Sequence, residues 1–206
     1  MTTAEGPPRV RRIGLTGGIG SGKSMVASML VKCGAILVDT DAIAHELTGP
    51  GGAAMPAIET RFGRTVVRSD GALDRDAMRQ LAFASPAAKQ ALEQILHPLI
   101  GSEALRRTAD AADRCVVFDV PLLVESVHWR DRVERVLVVD CSEATQIARA
   151  TRRAGWTSAA VQRVIDTQAP RAQRRACADA VIFNDGIDAA GLAAEVSALA
   201  KAWRVG

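Results

Sequence analysis

Gly17-Gly18-Ile19-Gly20-Ser21-Gly22-Lys23-Ser24 fits the phosphate-binding pattern G-x-x-x-x-G-K-[ST] at every fixed position. Arg12–Thr16 just before it reads as a short buried strand. Met25–Val31 just after it carries helical apolar spacing, so the local order is strand, loop, helix. In that context the glycines let successive backbone N–H groups turn inward around phosphate oxygens, at the positive end of the following helix. Lys23 is placed to reach the β- and γ-phosphates, and the Ser24 hydroxyl to ligate a phosphate-bound Mg²⁺, a hard cation that prefers oxygen. The nucleotide-binding set is then Gly17, Gly18, Ile19, Gly20, Ser21, Gly22, Lys23, Ser24 and Met25. A glycine-rich turn that merely capped a helix would explain neither Lys23 nor Ser24. A dinucleotide fingerprint fails too, because from Gly18 and Gly20 the third glycine would fall where Lys23 stands.

With 206 residues the chain suits one folding unit with inserted lobes better than two independent domains. Aromatic residues make up only 3% of it, so the core must be built from Ala, Val, Leu and Ile. No apolar run reaches 18 residues and the segment 1–8 is small and polar, which points to a soluble, cytoplasmic protein with a flexible N-terminal segment. Cys33, Cys115, Cys141 and Cys177 are scattered without a C-x-x-C pair, so reduced structural thiols are expected, not zinc ligands or disulfides. His45 and His128 have no partner at ligand spacing. The basic residues are 22 arginines and four lysines, and seven of the arginines crowd between Arg149 and Arg175. Nucleic-acid binding is disfavoured there, since Trp156 is the one aromatic interleaved with them.

Along the chain, Ala35–Val38 reads as a second buried strand ending at Asp39-Thr40-Asp41, and acids at a strand's carboxyl end face the binding crevice of an open α/β sheet. An inserted helical lobe spans 43–111, with helices over Ala42–Leu47, Met55–Phe62, Ala87–Ile95 and Leu99–Ala112 and a capped helix start at Asp74-Arg75. Cys115–Asp119 is a third strand with an acidic end that resembles a Walker B carboxylate able to enter the Mg²⁺ shell, with a turn cap as the alternative role of Asp119. Arg135–Asp140 is a fourth strand. Helices capped by Ser142, by Thr157 or Ser158, and by Pro170 make an arginine-rich lid over 142–177. Ala180–Phe183 is a fifth strand and Ile187–Trp203 a closing helix. The fold class is α/β: a P-loop NTPase unit over 9–206 with a five-stranded parallel sheet flanked by helices, the inserted lobe and the lid.

Guanine recognition is excluded, because the only asparagine, Asn184, is followed by Asp185 and cannot begin an N-K-x-D signature. A kinase with a small acceptor needs a group that orients the acceptor hydroxyl, an acceptor pocket, and cations that close over developing charge. Asp41 supplies the first, the inserted lobe the second, and the arginines the third. Arg149 and Arg153 lie four apart on one helix face with Gln146, either acting together on phosphate or forming a solvated face.

These residues resemble the dephospho-coenzyme A kinase family along nearly the whole chain. The likeness runs through Leu15–Ser24, Asp39-Thr40-Asp41, Phe62-Gly63, Asp70-Gly71 with Leu73-Asp74-Arg75, His97-Pro98, Pro121-Leu122-Leu123 with Glu125, Gln146 with Arg149 and Arg153, and Ala178-Asp179 with Asn184 and Gly186. The resemblance implies ATP-dependent phosphorylation of the 3′-hydroxyl of dephospho-CoA with Mg²⁺. It makes Asp41 the catalytic carboxylate with Lys23, Arg149 and Arg153, and Ser24 and Asp119 the metal residues. It gives substrate contacts to Asp41, His97, Leu122 and Glu125. Asn184 would meet adenine, or would only supply the turn before Gly186. His97 would touch substrate or end a helix. Val124 and Met25 depart from the family's usual residues. The other readings are a nucleoside or nucleoside-monophosphate kinase of the same architecture and a nucleotide-dependent regulatory module. Only small molecules are expected as partners, with no nucleic acid and no membrane, for a monomer or weak oligomer.

Overall fold

A computed structural model describes residues 10–111 and 113–206, with the side chains of Asp110, Val127, His128, Arg153 and Ala154 left out. The segment 1–8 and the end of the expected helix at Ala112 therefore lie outside the described residues.

In chain order the elements are β1 (Arg12–Gly17), α1 (Lys23–Lys32), β2 (Ile36–Asp39), α2 (Thr40–Leu47), α3 (Met55–Phe62), α4 (Arg75–Ala84), α5 (Pro86–Thr108), β3 (Val116–Asp119), α6 (Val127–Arg130), β4 (Arg135–Asp140), α7 (Glu143–Ala154), α8 (Ser158–Thr167), α9 (Arg171–Ala176), β5 (Ala180–Phe183) and α10 (Ala189–Ala202). The strands form one sheet in the order β2-β3-β1-β4-β5. β1 pairs in parallel with β3 and β4, and β4 with β5. β2 joins the outer side of β3, where the Ile36 N–H donates to the Cys115 carbonyl at 2.8 Å. Strands buried on both faces demand continuous apolar runs, which Ile13-Gly14-Leu15 and Val136-Leu137-Val138-Val139 supply. Ile13, Leu15, Val117, Leu137 and Val139 pack with Val26 and Leu30 of α1 and with Leu192 and Val196 of α10, an aliphatic core as the composition requires.

The chain divides into two compact units, one made of the chain up to Val38 and from Ala111 onward, the other Asp39–Asp110. The second has its own core of Met55, Ile58, Val66, Leu73 and Met78, against which Leu92, Ile95, Leu96 and Leu99 pack. The sequence breaks a helix at His97-Pro98, but α5 runs unbroken through 23 residues with Pro98 inside it. An interior proline removes one main-chain hydrogen bond at a cost of about 3 kcal/mol. Packing of the partly buried Leu92, Ile95, Leu96 and Leu99 against the core of this unit offsets that cost. The short helix α6 has no counterpart in the sequence reading. The four cysteines are thiols outside any disulfide, and burial pushes that of Cys141 up to about 11. No helix among the described residues is long and apolar enough to cross a membrane.

Candidate active site

β1 ends at Gly17 and α1 begins at Lys23, so the loop between them carries the phosphate-binding pattern. Gly20 and Gly22 have φ of 72° and 93°, left-handed values that a side chain resists. Gly22 holds the cap position of α1, with no side-chain cap and no acid in the first turn. The positive end of a ten-residue helix is thus left open to an anion.

Side chains from far along the chain hold the loop in shape. The Asn184 Nδ2 donates to the Ser21 carbonyl at 2.8 Å, the Gln168 Oε1 accepts the Ile19 N–H at 3.0 Å, and the Arg149 Nη1 reaches the Gly20 and Ser21 carbonyls at 3.4 Å each. Gln146, 1% exposed, backs the loop so closely that a β-carbon on Gly20 would lie 2.7 Å from its main-chain oxygen. Asn184, expected at the adenine or in a turn, is buried and gives one N–H of its amide to the loop. Arg149, expected either on phosphate or on a solvated face, is part-buried beside the loop. Arg153 is on α7, but its side chain is outside the described residues.

The Asn184 contact has a direct consequence. Asn184→Ala strands a buried carbonyl, which costs roughly 1–3 kcal/mol, and at about 2–4 °C per kcal/mol for this size the melting temperature should drop by several degrees. Calorimetry checks this. A variant that melts like the wild type but no longer prefers ATP over GTP would assign Asn184 to the base alone.

Parallel pairing places the acids that end β3 and β4 on either side of β1, and they meet different partners. Asp119 forms an ion pair with the Lys23 Nζ, the two side chains being 10% and 17% exposed. Asp140 is buried and accepts from Arg171 at 2.8, 2.9 and 3.1 Å and from Arg175 at 2.7 Å. Burial alone would raise its carboxyl. Both guanidiniums together outweigh that and hold it below the usual range. Asp185 is held down to about 2 by hydrogen bonds from Ser142 and Thr145, which fixes the turn after Asn184 to the start of α7. Ser24 is exposed in the first turn of α1. Its hydroxyl and the Asp119 carboxylate are hard oxygen donors that fit Mg²⁺, an ion that takes few protein ligands and completes its shell with phosphate and water. Leu122 is 52% exposed, whereas Glu125 accepts the Ala169 N–H at 2.7 Å and so anchors the start of α9.

In the second unit Asp39 caps α2, its Oδ1 accepting the Asp41 and Ala42 N–H groups at 2.9 Å each. Asp41 is exposed in the first turn, two residues past the end of β2. His97 is half-buried within α5. A cavity of about 670 Å³ is lined by His45, Thr48, Arg68, Asp70, Arg75 and Arg79, and the Arg75 Nη2 donates to the Thr48 Oγ1 at 2.9 Å. A second, of about 560 Å³, is lined by Met55, Pro56, Glu59, Arg64 and Val67 among others. The sequence reading missed Gln168, Arg171, Arg174 and Arg175 as individuals. The i, i+3, i+4 spacing of those three arginines was the available signal.

Comparison with known proteins follows the same lines. A family model described as dephospho-CoA kinase matches residues 11–189. The dephospho-CoA kinase of Bordetella parapertussis is 57% identical over 175 residues, which are 85% of this chain and 82% of that one. A crystal structure of a Thermus thermophilus protein superimposes with a TM-score of 0.81 at 29% identity, covering 94% of this chain and 98% of its own. Dephospho-CoA kinase from Campylobacter jejuni, at 21% identity and a TM-score of 0.68 over 92% of this chain and 95% of its own, shares the fold. The chain belongs to the dephospho-CoA kinase family.

Proposed function

We propose that the protein transfers the γ-phosphoryl group of ATP to the 3′-hydroxyl of dephospho-CoA, giving CoA and ADP. The observation that carries this is the braced loop, with an uncapped helix start and a lysine held beside it, in a chain of this family. The loop N–H groups bind phosphate oxygens. Lys23 leaves Asp119 to follow the charge that develops on the migrating group. Ser24 and Asp119 would hold Mg²⁺, which supplies charge neutralisation on the phosphate oxygens. Asp41 orients the acceptor hydroxyl and takes up its proton as the new O–P bond forms and the bond to ADP breaks. The unit over 39–110 is the acceptor lobe of 43–111. Its cavity with Arg68, Arg75, Arg79 and His45 suits the acceptor's diphosphate. The helices over 142–177 cover the nucleotide with Arg149 and Arg153. His97 and Leu122 remain candidates for acceptor contact, whereas Glu125 serves to position α9. The enzyme works in the cytoplasm on small molecules, as a monomer or weak oligomer.

Incubation with ATP, with and without dephospho-CoA, tests this by the mass of the products. ADP release that depends on dephospho-CoA, with a phosphoryl group added to it, is expected. Equal stimulation by adenosine or AMP would favour a nucleoside or nucleotide kinase, and turnover that no acceptor stimulates a regulatory module.

A further inference from the structure

α9 carries three arginines with different surroundings. Arg171 and Arg175 are neutralised by Asp140 and remain 36% and 48% exposed. Arg174 is 5% exposed, and the one hydrogen bond of its guanidinium among the described residues is from Nη1 to the Ala169 main-chain carbonyl. No carboxylate lies within ion-pair distance of it among those residues. A guanidinium taken out of water without a counter-charge is costly unless an anion completes its site. Its position indicates which anion. The Arg174 Nη2 lies against the phosphate-binding loop, so that a β-carbon on Gly18 would sit 2.9 Å from it. The side-chain amide of Gln146, 1% exposed, lies against Gly18 as well, and its Oε1 has no hydrogen-bond donor among the described residues. A buried cation and an unsatisfied polar group thus converge on the residue that opens the loop.

We propose that Arg174 is a phosphate-binding residue of the nucleotide site, a fixed cation whose counter-charge is the phosphate chain of ATP. This rests on the reading of the loop as an ATP site. Among the arginines of 142–177 it identifies a cation already desolvated and not neutralised by any described residue. Because guanidinium offers several donors in a rigid fork, it can keep the Ala169 carbonyl on one nitrogen and give another to phosphate.

The test is equilibrium binding of ATP and of inorganic tripolyphosphate, with melting temperature measured without ligand. Two variants are used. Arg174→Met matches volume without charge, and Arg174→Gln removes the charge but keeps a donor for the Ala169 carbonyl, which covers a failure of the first to fold. Wild-type binding of ATP and acceptor-dependent turnover come first, and their absence would sink the reading of the site, not the role of Arg174. Given wild-type binding, both ligands should weaken by about 10- to 100-fold, the range for hydrogen bonds to charged groups. The ligand-free melting temperature should hold or rise, because an uncompensated buried charge has been removed. Affinities within twofold of wild type would overturn the proposal. So would a loss for ATP with none for tripolyphosphate, which would place the guanidinium on the base. Retained affinity with a melting temperature several degrees lower would make Arg174 a brace for the loop before α9.

Discussion

Lys23→Ala should lower kcat by about 10³-fold or more, since it removes the cation that follows charge onto the migrating phosphoryl group. The sequence alone suggests that the fold would not notice, because a lysine in a loop packs into no core. The structure alters that part of the expectation. Lys23 is paired with Asp119 in a site where both side chains are largely shielded from water, and removing one partner of such a pair leaves the other charge uncompensated. Discounting for the remaining exposure, the loss is about 2–3 kcal/mol, or a melting temperature lower by roughly 5–10 °C. The double variant Lys23→Ala with Asp119→Asn should regain most of that stability and none of the activity. Turnover by the single variant within tenfold of wild type would mean that Lys23 does not serve the phosphoryl group. A single variant that melts like the wild type would mean that the ion pair contributes no net stability.

What was legible in the sequence follows from the range of the interactions that specify it. The strand–loop–helix unit around Gly17–Ser24 is local, and its signal is a fixed spacing of glycines with a lysine, so its residues and approximate bounds could be read directly. The three central strands were equally accessible, because strands covered on both faces need uninterrupted apolar runs such as Val136–Val139 and Val116–Phe118, and the half-exposed edge strands β2 and β5 show as shorter apolar runs. Pro98 was misread for a physical reason. Local propensity argues for a break, and only the tertiary burial of Ile95, Leu96 and Leu99 sustains the helix. The same limit applies to the side chains around the loop. Asn184, Gln168 and Arg149 reach it across more than a hundred residues of chain, and nothing in their neighbouring sequence distinguishes an amide that reads a base from one that holds a carbonyl. Among the arginines, the sequence displays one cluster of equal charges. Only the fold shows that Asp140 neutralises two of them, and that Arg174 is buried with no acid at ion-pair distance among the described residues.

Asp41→Asn should keep wild-type melting behaviour and ATP affinity while losing most of its kcat. From the sequence, Asp41 has two roles that are hard to separate, orienting the acceptor hydroxyl and capping the helix that follows. The observed cap is Asp39, whose carboxylate accepts the Asp41 and Ala42 N–H groups. Asp41 sits one step inside α2, exposed, where its charge toward the positive helix end is worth only about 0.3–1 kcal/mol. Asparagine keeps the shape and polarity and removes the basic carboxylate. Loss of a general base typically lowers rate by about 10²–10⁴-fold. In a loose phosphoryl-transfer transition state part of that comes from orientation, which the amide partly retains, so a decrease of about 10²–10³-fold is expected. The matched control is Asp39→Ala, which removes the cap at a cost of about 1 kcal/mol and leaves the Asp41 carboxylate in place. It should lower the melting temperature by a few degrees with kcat within a few-fold of wild type. If Asp41→Asn turns over normally, the base lies elsewhere. If Asp39→Ala loses as much kcat as Asp41→Asn, then the start of α2, not the Asp41 carboxylate, is what the reaction requires.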